Sequence, residues 1–142
     1  MKYKSLFMLL LLICSCTSSF ENEVIKKISQ NFETSDSIIS IDEIYDDWDN
    51  VYVFLECAGH EDIIRVIGKT DYLHDASQDI VFEKGGIIVR YEQLYPYDGW
   101  PNKSSLSIRF WFNDSCYMKF NKREAIFKVI KRNNYYILSP YK

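Results

Sequence analysis

The sequence has 142 residues, of which 17 are Lys or Arg and 20 are Asp or Glu, so its formal charge at pH 7 is −3. This length suits one domain with a buried core, and a weakly acidic chain without a basic groove motif is not expected to bind nucleic acid. The 11 Tyr, 9 Phe and 3 Trp residues favour a sheet-rich core, with aromatic side chains left for a contact surface.

The chain begins with the pattern of a secretory signal. Lys2 and Lys4 precede a short uncharged apolar run, and small and polar residues follow it. The run is too short to span a membrane and is typical of a signal peptide. The next residues, Ile13-Cys14-Ser15-Cys16, resemble the lipobox of bacterial lipoproteins. The resemblance implies cleavage before Cys16, diacylglycerol on its thiol and acylation of its amine.

The lipobox divides the chain into three predicted parts. Residues 1–15 form the signal peptide, residues 16–22 carry the lipidated cysteine and a short tether, and residues 23–142 form a single globular domain. Thr17 is not the aspartate that resembles an inner-membrane retention signal, so the resemblance implies an outer-membrane lipoprotein of the cell envelope. The alternatives are an ordinary secreted protein cut near Ser15 or Ser18, and an uncleaved anchor.

Export also bears on the cysteines. In an exported chain Cys57 and Cys116 remain in an oxidising compartment, and we predict a disulfide between them; the alternative is two buried thiols.

The charge is unevenly distributed along the chain. Residues 21–62 hold 12 acidic and 2 basic residues, and residues 63–142 hold 8 acidic and 13 basic residues. We expect the acidic part to lie over the basic part of the same molecule, and the alternative is steering of a charged partner.

Three helical segments are predicted in the first half of the domain. Apolar residues recur at helical spacing over 21–32. Ser40-Ile41-Asp42-Glu43 fits a capping box and predicts a turn or two of helix over 41–46. A third helix is predicted from His60 to Ile67, with Gly68 as its C-cap.

The remaining segments are predicted to be strands. Val51–Leu55 is β-branched and aromatic throughout, which is typical of a central strand. Gly85-Gly86 lies between two apolar runs and predicts a hairpin turn, and residues 105–112 alternate like a half-buried strand. Further strands are predicted over 117–120, 125–131 and 135–138. The sequence therefore predicts an α+β fold, in which an N-terminal helix and short helices pack on one face of an antiparallel, hairpin-rich sheet.

The aspartates before the central strand raise the question of a metal site. Asp46, Asp47 and Asp49 surround Trp48, but no glycine follows at the position that a calcium loop requires. We therefore expect these side chains to bond nearby backbone amides and Trp48 to cover one end of the core. A loose cation site is the alternative.

The same stretch carries a second resemblance. Asp47-Trp48-Asp49-x-Val51-Tyr52-x-Phe54 is similar to a D-W-D-x-[VL]-Y-x-F stretch in small exported bacterial proteins, many of them lipoproteins. In those proteins a short helix, two apolar strands and a basic-apolar segment follow, as over residues 38–138 here. The chain departs from them at Leu55-Glu56-Cys57, where a Gly-Pro pair is common. The resemblance implies fold and export, and it implies no activity.

One loop is a candidate contact surface. Tyr95, Tyr97 and Trp100 lie in a Pro- and Gly-containing stretch that excludes regular structure. Tyr and Trp are frequent among the residues that dominate binding energy at interfaces. We expect these side chains to fold back and close the core, and the alternative is that they form a contact surface for a partner.

No motif in the sequence predicts catalysis. His60 and His74 are too few for a zinc site, and no G-x-S-x-G motif occurs. We expect no cofactor, no metal and no enzymatic activity. The sequence favours a membrane-anchored envelope lipoprotein that works as a protein-binding or inhibitor module with an envelope protein partner. The alternatives are a structural or accessory factor in envelope assembly and a carbohydrate-binding module.

Overall fold

The computed structural model describes residues 18–31, 37–68, 76–95 and 106–141. In these residues the elements are α1 (Phe20–Asn31), β1 (Ser37–Ser40), β2 (Asn50–Phe54), α2 (His60–Ile67), β3 (Gln78–Lys84), β4 (Ile87–Leu94), β5 (Ser107–Phe110), β6 (Tyr117–Asn121), β7 (Ile126–Lys131) and β8 (Tyr135–Pro140). A short 3-10 helix, Ile41–Glu43, follows β1. This content confirms the predicted α+β class.

The strands form two four-stranded sheets. The first sheet has the order β1-β7-β8-β5, and the second has the order β4-β3-β2-β6. Neighbouring strands are antiparallel, except that β5 and β8 are parallel. The sequence predicted a single antiparallel sheet. The structure differs because β1–β7 and β5–β8 join strands that are distant in sequence, and hydrophobic alternation identifies a strand without identifying its partner.

The two sheets and α1 share one large hydrophobic cluster. Phe20, Val24 and Ile28 of α1 belong to it. Its members from the sheets include Val51, Val53, Ile80, Phe82, Ile108, Phe110, Phe127 and Leu138.

A smaller cluster joins α2 to the second sheet, where Ile63 packs with Phe54 and Val81. Val53 and Phe54 are consecutive residues of β2 and therefore point to opposite faces. α1 and α2 therefore belong to different clusters, which contain side chains from opposite faces of β2.

The predicted helices are present with small differences at their ends. α1 begins at Phe20, inside the segment predicted as a tether, and α2 has the predicted bounds. Gly68 ends α2 with a φ of 83°, and its N–H donates to the Ile64 carbonyl at 2.8 Å. The capping box at Ser40 is wrong: this residue ends β1, and its side chain makes no capping hydrogen bond to the 3-10 helix.

The hairpin of β3 and β4 turns at Gly85 and Gly86, as predicted. Their φ angles are 57° and 81°, a region that glycine enters without steric cost. Ion pairs between described residues join the acidic N-terminal part to the basic C-terminal part, as expected from the charge distribution. They include Glu23–Arg90, Asp42–Lys122, Asp47–Lys84 and Glu56–Arg109.

Candidate functional site

The aspartate-rich stretch before β2 supports the hairpin turn. Asp49 Oδ2 accepts a hydrogen bond from the Gly85 N–H at 2.9 Å, and Asp47 forms an ion pair with Lys84. The hydrogen bond and the charge of Asp47 raise the pKa of the Lys84 ammonium above its ordinary value. Within the described ranges, no group of three or more His, Cys, Asp or Glu residues is placed to hold a metal ion.

Trp48 is part of the core, as the sequence predicted. Its side chain is buried, and its indole N–H donates to the Tyr45 carbonyl. Its ring meets Phe82 edge to face with 5.9 Å between the centroids. Asp47, Trp48 and Asp49 therefore have structural roles, because they hold the start of β2 against the core and against the β3–β4 turn.

Only part of the predicted contact loop can be placed. Tyr95 is 41% exposed at the end of β4, whereas Tyr97 and Trp100 lie outside the described residues. His74 also lies outside them, and His60 begins α2.

Cys57 and Cys116 form a disulfide in the structure, with 5.4 Å between their Cα atoms. Cys57 follows β2 and Cys116 precedes β6, and these two strands are paired. The Leu55 N–H donates to the Cys116 carbonyl at 2.7 Å, which extends the pairing to the disulfide. The bridge therefore closes one end of the second sheet.

Beside the disulfide, the connection between β5 and β6 exposes a tryptophan. Along this strand Phe110 and Phe112 are buried in the core, while Trp111 points outward and is 49% exposed. The backbone N–H of Trp111 donates to the Leu138 carbonyl at 3.0 Å, so the backbone here continues the pairing with β8. An indole of this size on the surface is a candidate contact residue.

Two neighbours hold the Trp111 ring. The Arg109 guanidinium carbon lies 5.8 Å from the ring centroid, within the range of a cation–π contact. The indole N–H donates to Asn113 Oδ1 at 3.2 Å. The ring is therefore oriented before any partner arrives.

Arg109 contacts a buried network of hydrogen bonds through Glu56. Gln78 is fully buried; its amide donates to Glu56 Oε2 and to the Phe110 carbonyl, both at 2.9 Å, and accepts from the Phe110 N–H at 2.7 Å. Arg109 Nη2 lies 3.3 Å from Glu56 Oε1. Within the described residues, however, neither Glu56 Oε1 nor Arg109 Nε has a hydrogen-bond partner, although both atoms are buried. Such unsatisfied groups are uncommon in native proteins.

Two open grooves share the segment Trp111–Ser115 as part of their lining. The first has a volume of about 500 Å³ and is also lined by Met118, Ser139 and Pro140. The second has a volume of about 540 Å³ and is also lined by Leu55, Glu56, Cys57, Arg109 and Cys116. Volumes of this order are typical of ligand sites. The disulfide, the Glu56–Arg109 pair and Trp111 thus border the same groove.

Only an indirect signal for this surface is present in the sequence. The alternation over 105–112 placed Arg109 and Trp111 on the outward face, but an outward tryptophan at a strand end was not singled out. The second groove depends on Glu56, and this residue and its partner Gln78 approach Arg109 only through the packing of the two sheets.

No protein-family model matches the chain, and no curated protein or solved structure matches it either. Of the helices in the described part, none is long and apolar enough to cross a bilayer.

Proposed function

We propose that this chain is an exported envelope lipoprotein, anchored through acyl chains on Cys16, that binds another protein without catalysing a reaction. The binding surface is the pair of grooves around Trp111. The observation that carries the proposal is the exposed and pre-oriented Trp111 ring.

Two independent features support export. The residues Ile13-Cys14-Ser15-Cys16 match a lipobox. The Cys57–Cys116 disulfide is typical of proteins that fold in an oxidising compartment. Acyl chains on both the thiol and the amine of Cys16 give stable anchoring, whereas a single chain binds a membrane only marginally.

The chemistry of the grooves supports protein binding. Trp, Tyr and Arg are enriched among the residues that dominate interface energy, and Trp111 and Arg109 lie in contact here. Because Asn113 and Arg109 already orient the indole, a partner loses little of its binding energy to ordering that ring. Other exposed aromatic residues of the described chain, Tyr95, Tyr117 and Tyr141, lie outside the lining of these grooves.

The second groove also has a charged wall. Arg109 Nη2 and Glu56 Oε1 lie 3.3 Å apart there, and the two side chains are 32% and 13% exposed. A peptide segment offers both N–H donors and C=O acceptors to such a pair.

A carbohydrate is the second candidate, and the lining of the second groove favours it. Asn113, Asp114 and Ser115 lie beside the Trp111 ring there, and an aromatic surface with amide, carboxylate and hydroxyl groups suits a sugar ring. Saturable quenching of Trp111 fluorescence by envelope oligosaccharides, absent in Trp111→Phe, would establish this role instead.

The test is capture of the acylated protein from crosslinked cells, with partners identified by mass. We expect one stoichiometric protein partner with the wild type, and its loss with Trp111→Ala. The control is Ile38→Ala, which truncates an aliphatic side chain that is 45% exposed on β1. Tyr95→Ala tests the predicted contact loop separately.

Two outcomes would contradict the proposal. A partner that is retained by Trp111→Ala and lost with Tyr95→Ala moves the surface to that loop. Capture of abundant envelope neighbours alone, unchanged by either substitution, favours a structural or accessory role in the envelope.

A further inference from the structure

The tip of the β3–β4 hairpin exposes three consecutive aliphatic residues. Ile87 is 69% exposed, Ile88 is 37% exposed and Val89 is 39% exposed. The strand register shifts here, since Phe82 pairs with Arg90 and Glu83 pairs with Ile88. Val89 is therefore an extra, bulged residue. Contiguous exposed apolar residues mark sites of contact with a protein or a membrane.

The start of the folded chain lies beside this tip. Arg90 directly follows Val89, and its guanidinium donates to Glu23 Oε2 at 3.3 Å and to the Ser18 carbonyl at 3.5 Å. The same group lies 5.8 Å from the centroid of the Phe20 ring. The N-terminal end of α1 is thus fastened to β4 next to the exposed aliphatic residues.

The reach of the chain sets the distance from the tip to Cys16. Ser18 is two positions after Cys16, a span of at most about 7 Å in an extended chain. Arg90 and Ile87 are three residues apart, or about 10 Å along a strand. An acyl group on Cys16 therefore enters the bilayer within about 30 Å of the tip, once about 7 Å for the Arg90 side chain and its hydrogen bond of 3.5 Å to the Ser18 carbonyl are added.

We propose that the tip Ile87–Val89 is the membrane-facing surface of the domain and that its side chains enter the lipid interface beside the acyl chains. This inference rests on the proposed lipidation of Cys16. The occupant is bilayer lipid, because the short tether keeps the tip within this distance of the acyl chains whatever else the protein binds. Apolar side chains at such an interface lie near the boundary between headgroups and acyl chains.

The orientation has a consequence for the groove. Strand β3 begins at Gln78, which bonds Phe110 beside Trp111, and it ends at Lys84 beside the turn. Its seven residues span about 20 Å. A tip in the membrane therefore leaves the grooves at the far end of the sheet, where a partner has access to them.

Fluorescence quenching by brominated lipids tests the proposal. The acylated protein is reconstituted in vesicles of phosphatidylethanolamine and phosphatidylglycerol with brominated acyl chains. The test variant is Ile88→Trp and the matched control is Ile64→Trp on α2, because both isoleucines are 37% exposed. Circular dichroism checks that both variants fold, and the wild-type signal is subtracted. We expect the tryptophan at position 88 to be quenched at least threefold more strongly than the one at position 64.

Equal quenching of the two variants, or none at position 88, overturns the inference. An unquenched tip in a protein that elutes as a dimer overturns it too, and it assigns the tip to a second copy. Intact mass of the same sample separates the two proposals. An acylated chain with an unquenched tip removes only the membrane contact, whereas a chain without acyl groups removes the anchor and the contact together.

Discussion

Asp49 and Gly85 are joined by a hydrogen bond of 2.9 Å from the Gly85 N–H to the Asp49 carboxylate. The bond links the acidic stretch before β2 to the turn of the β3–β4 hairpin. We expect Asp49→Ala to lower the free energy of unfolding by about 1 kcal/mol, measured by urea denaturation. Asp49→Asn keeps an acceptor oxygen and should recover most of the loss. The control is Asp46→Ala, an exposed aspartate; an equal loss there would contradict a specific role for Asp49.

The disulfide should contribute strongly to stability. Cys57 and Cys116 are 59 residues apart in sequence, and a closed loop of that size stabilises a fold by about 4 kcal/mol on the chain-entropy model. The double variant Cys57→Ser with Cys116→Ser should show that loss in urea denaturation. A reductant should destabilise the wild type and leave the double variant unchanged. Sensitivity of the double variant to the reductant would show that the bridge is not its target.

The buried amide of Gln78 holds the floor of the second groove. Gln78→Leu leaves the Phe110 N–H and Glu56 Oε2 without this partner, and we expect a loss of about 3 kcal/mol. The control is Gln30→Leu on the exposed side of α1, which should change stability by less than about 0.5 kcal/mol. A neutral Gln78→Leu would mean that water replaces the amide at the groove floor.

The Asp47–Lys84 pair gives a pH dependence with a definite sign. Because Asp47 raises the pKa of Lys84 in the folded state, the contribution of the pair is present below the unfolded pKa of about 10.4. It is lost as the pH rises through the folded pKa. Urea denaturation of the wild type and Lys84→Gln at a series of pH values from neutral to strongly alkaline should therefore show a small gap that closes at the alkaline end. A gap that widens there would contradict this assignment.

Local features of the fold were predictable from the sequence, and long-range pairings were not. Gly68 and the Gly85-Gly86 turn were recognised because backbone positions with a positive φ favour glycine. The strand Ser37–Ser40 has only two aliphatic residues, and its partner β7 lies far along the chain, so nothing local indicated it. Ser40 looked like a helix cap because its spacing to Glu43 fits one, but its pairing with Ile126 keeps it in a strand.

The same distinction between local features and long-range contacts holds for the candidate site. Alternation along β5 placed Trp111 on the outward face, and the cysteine count that remains under the predicted export paired Cys57 with Cys116. The approach of Glu56 and Gln78 to Arg109 depends on how the two sheets pack, which no spacing in the sequence encodes. The aspartates around Trp48 attracted attention as a charge cluster, and in the structure they hold a turn.

The lipid anchor is the claim on which the proposed function and the membrane-facing tip both depend. The most direct test is the intact mass of the protein extracted from the membranes of cells that express the full chain, compared with Cys16→Ser. We expect a wild-type chain that begins at Cys16, carries diacylglycerol and a further acyl group, and fractionates with membranes, whereas Cys16→Ser carries no lipid and leaves the membrane fraction. Equal masses after allowance for the substitution, with equal fractionation, would contradict it.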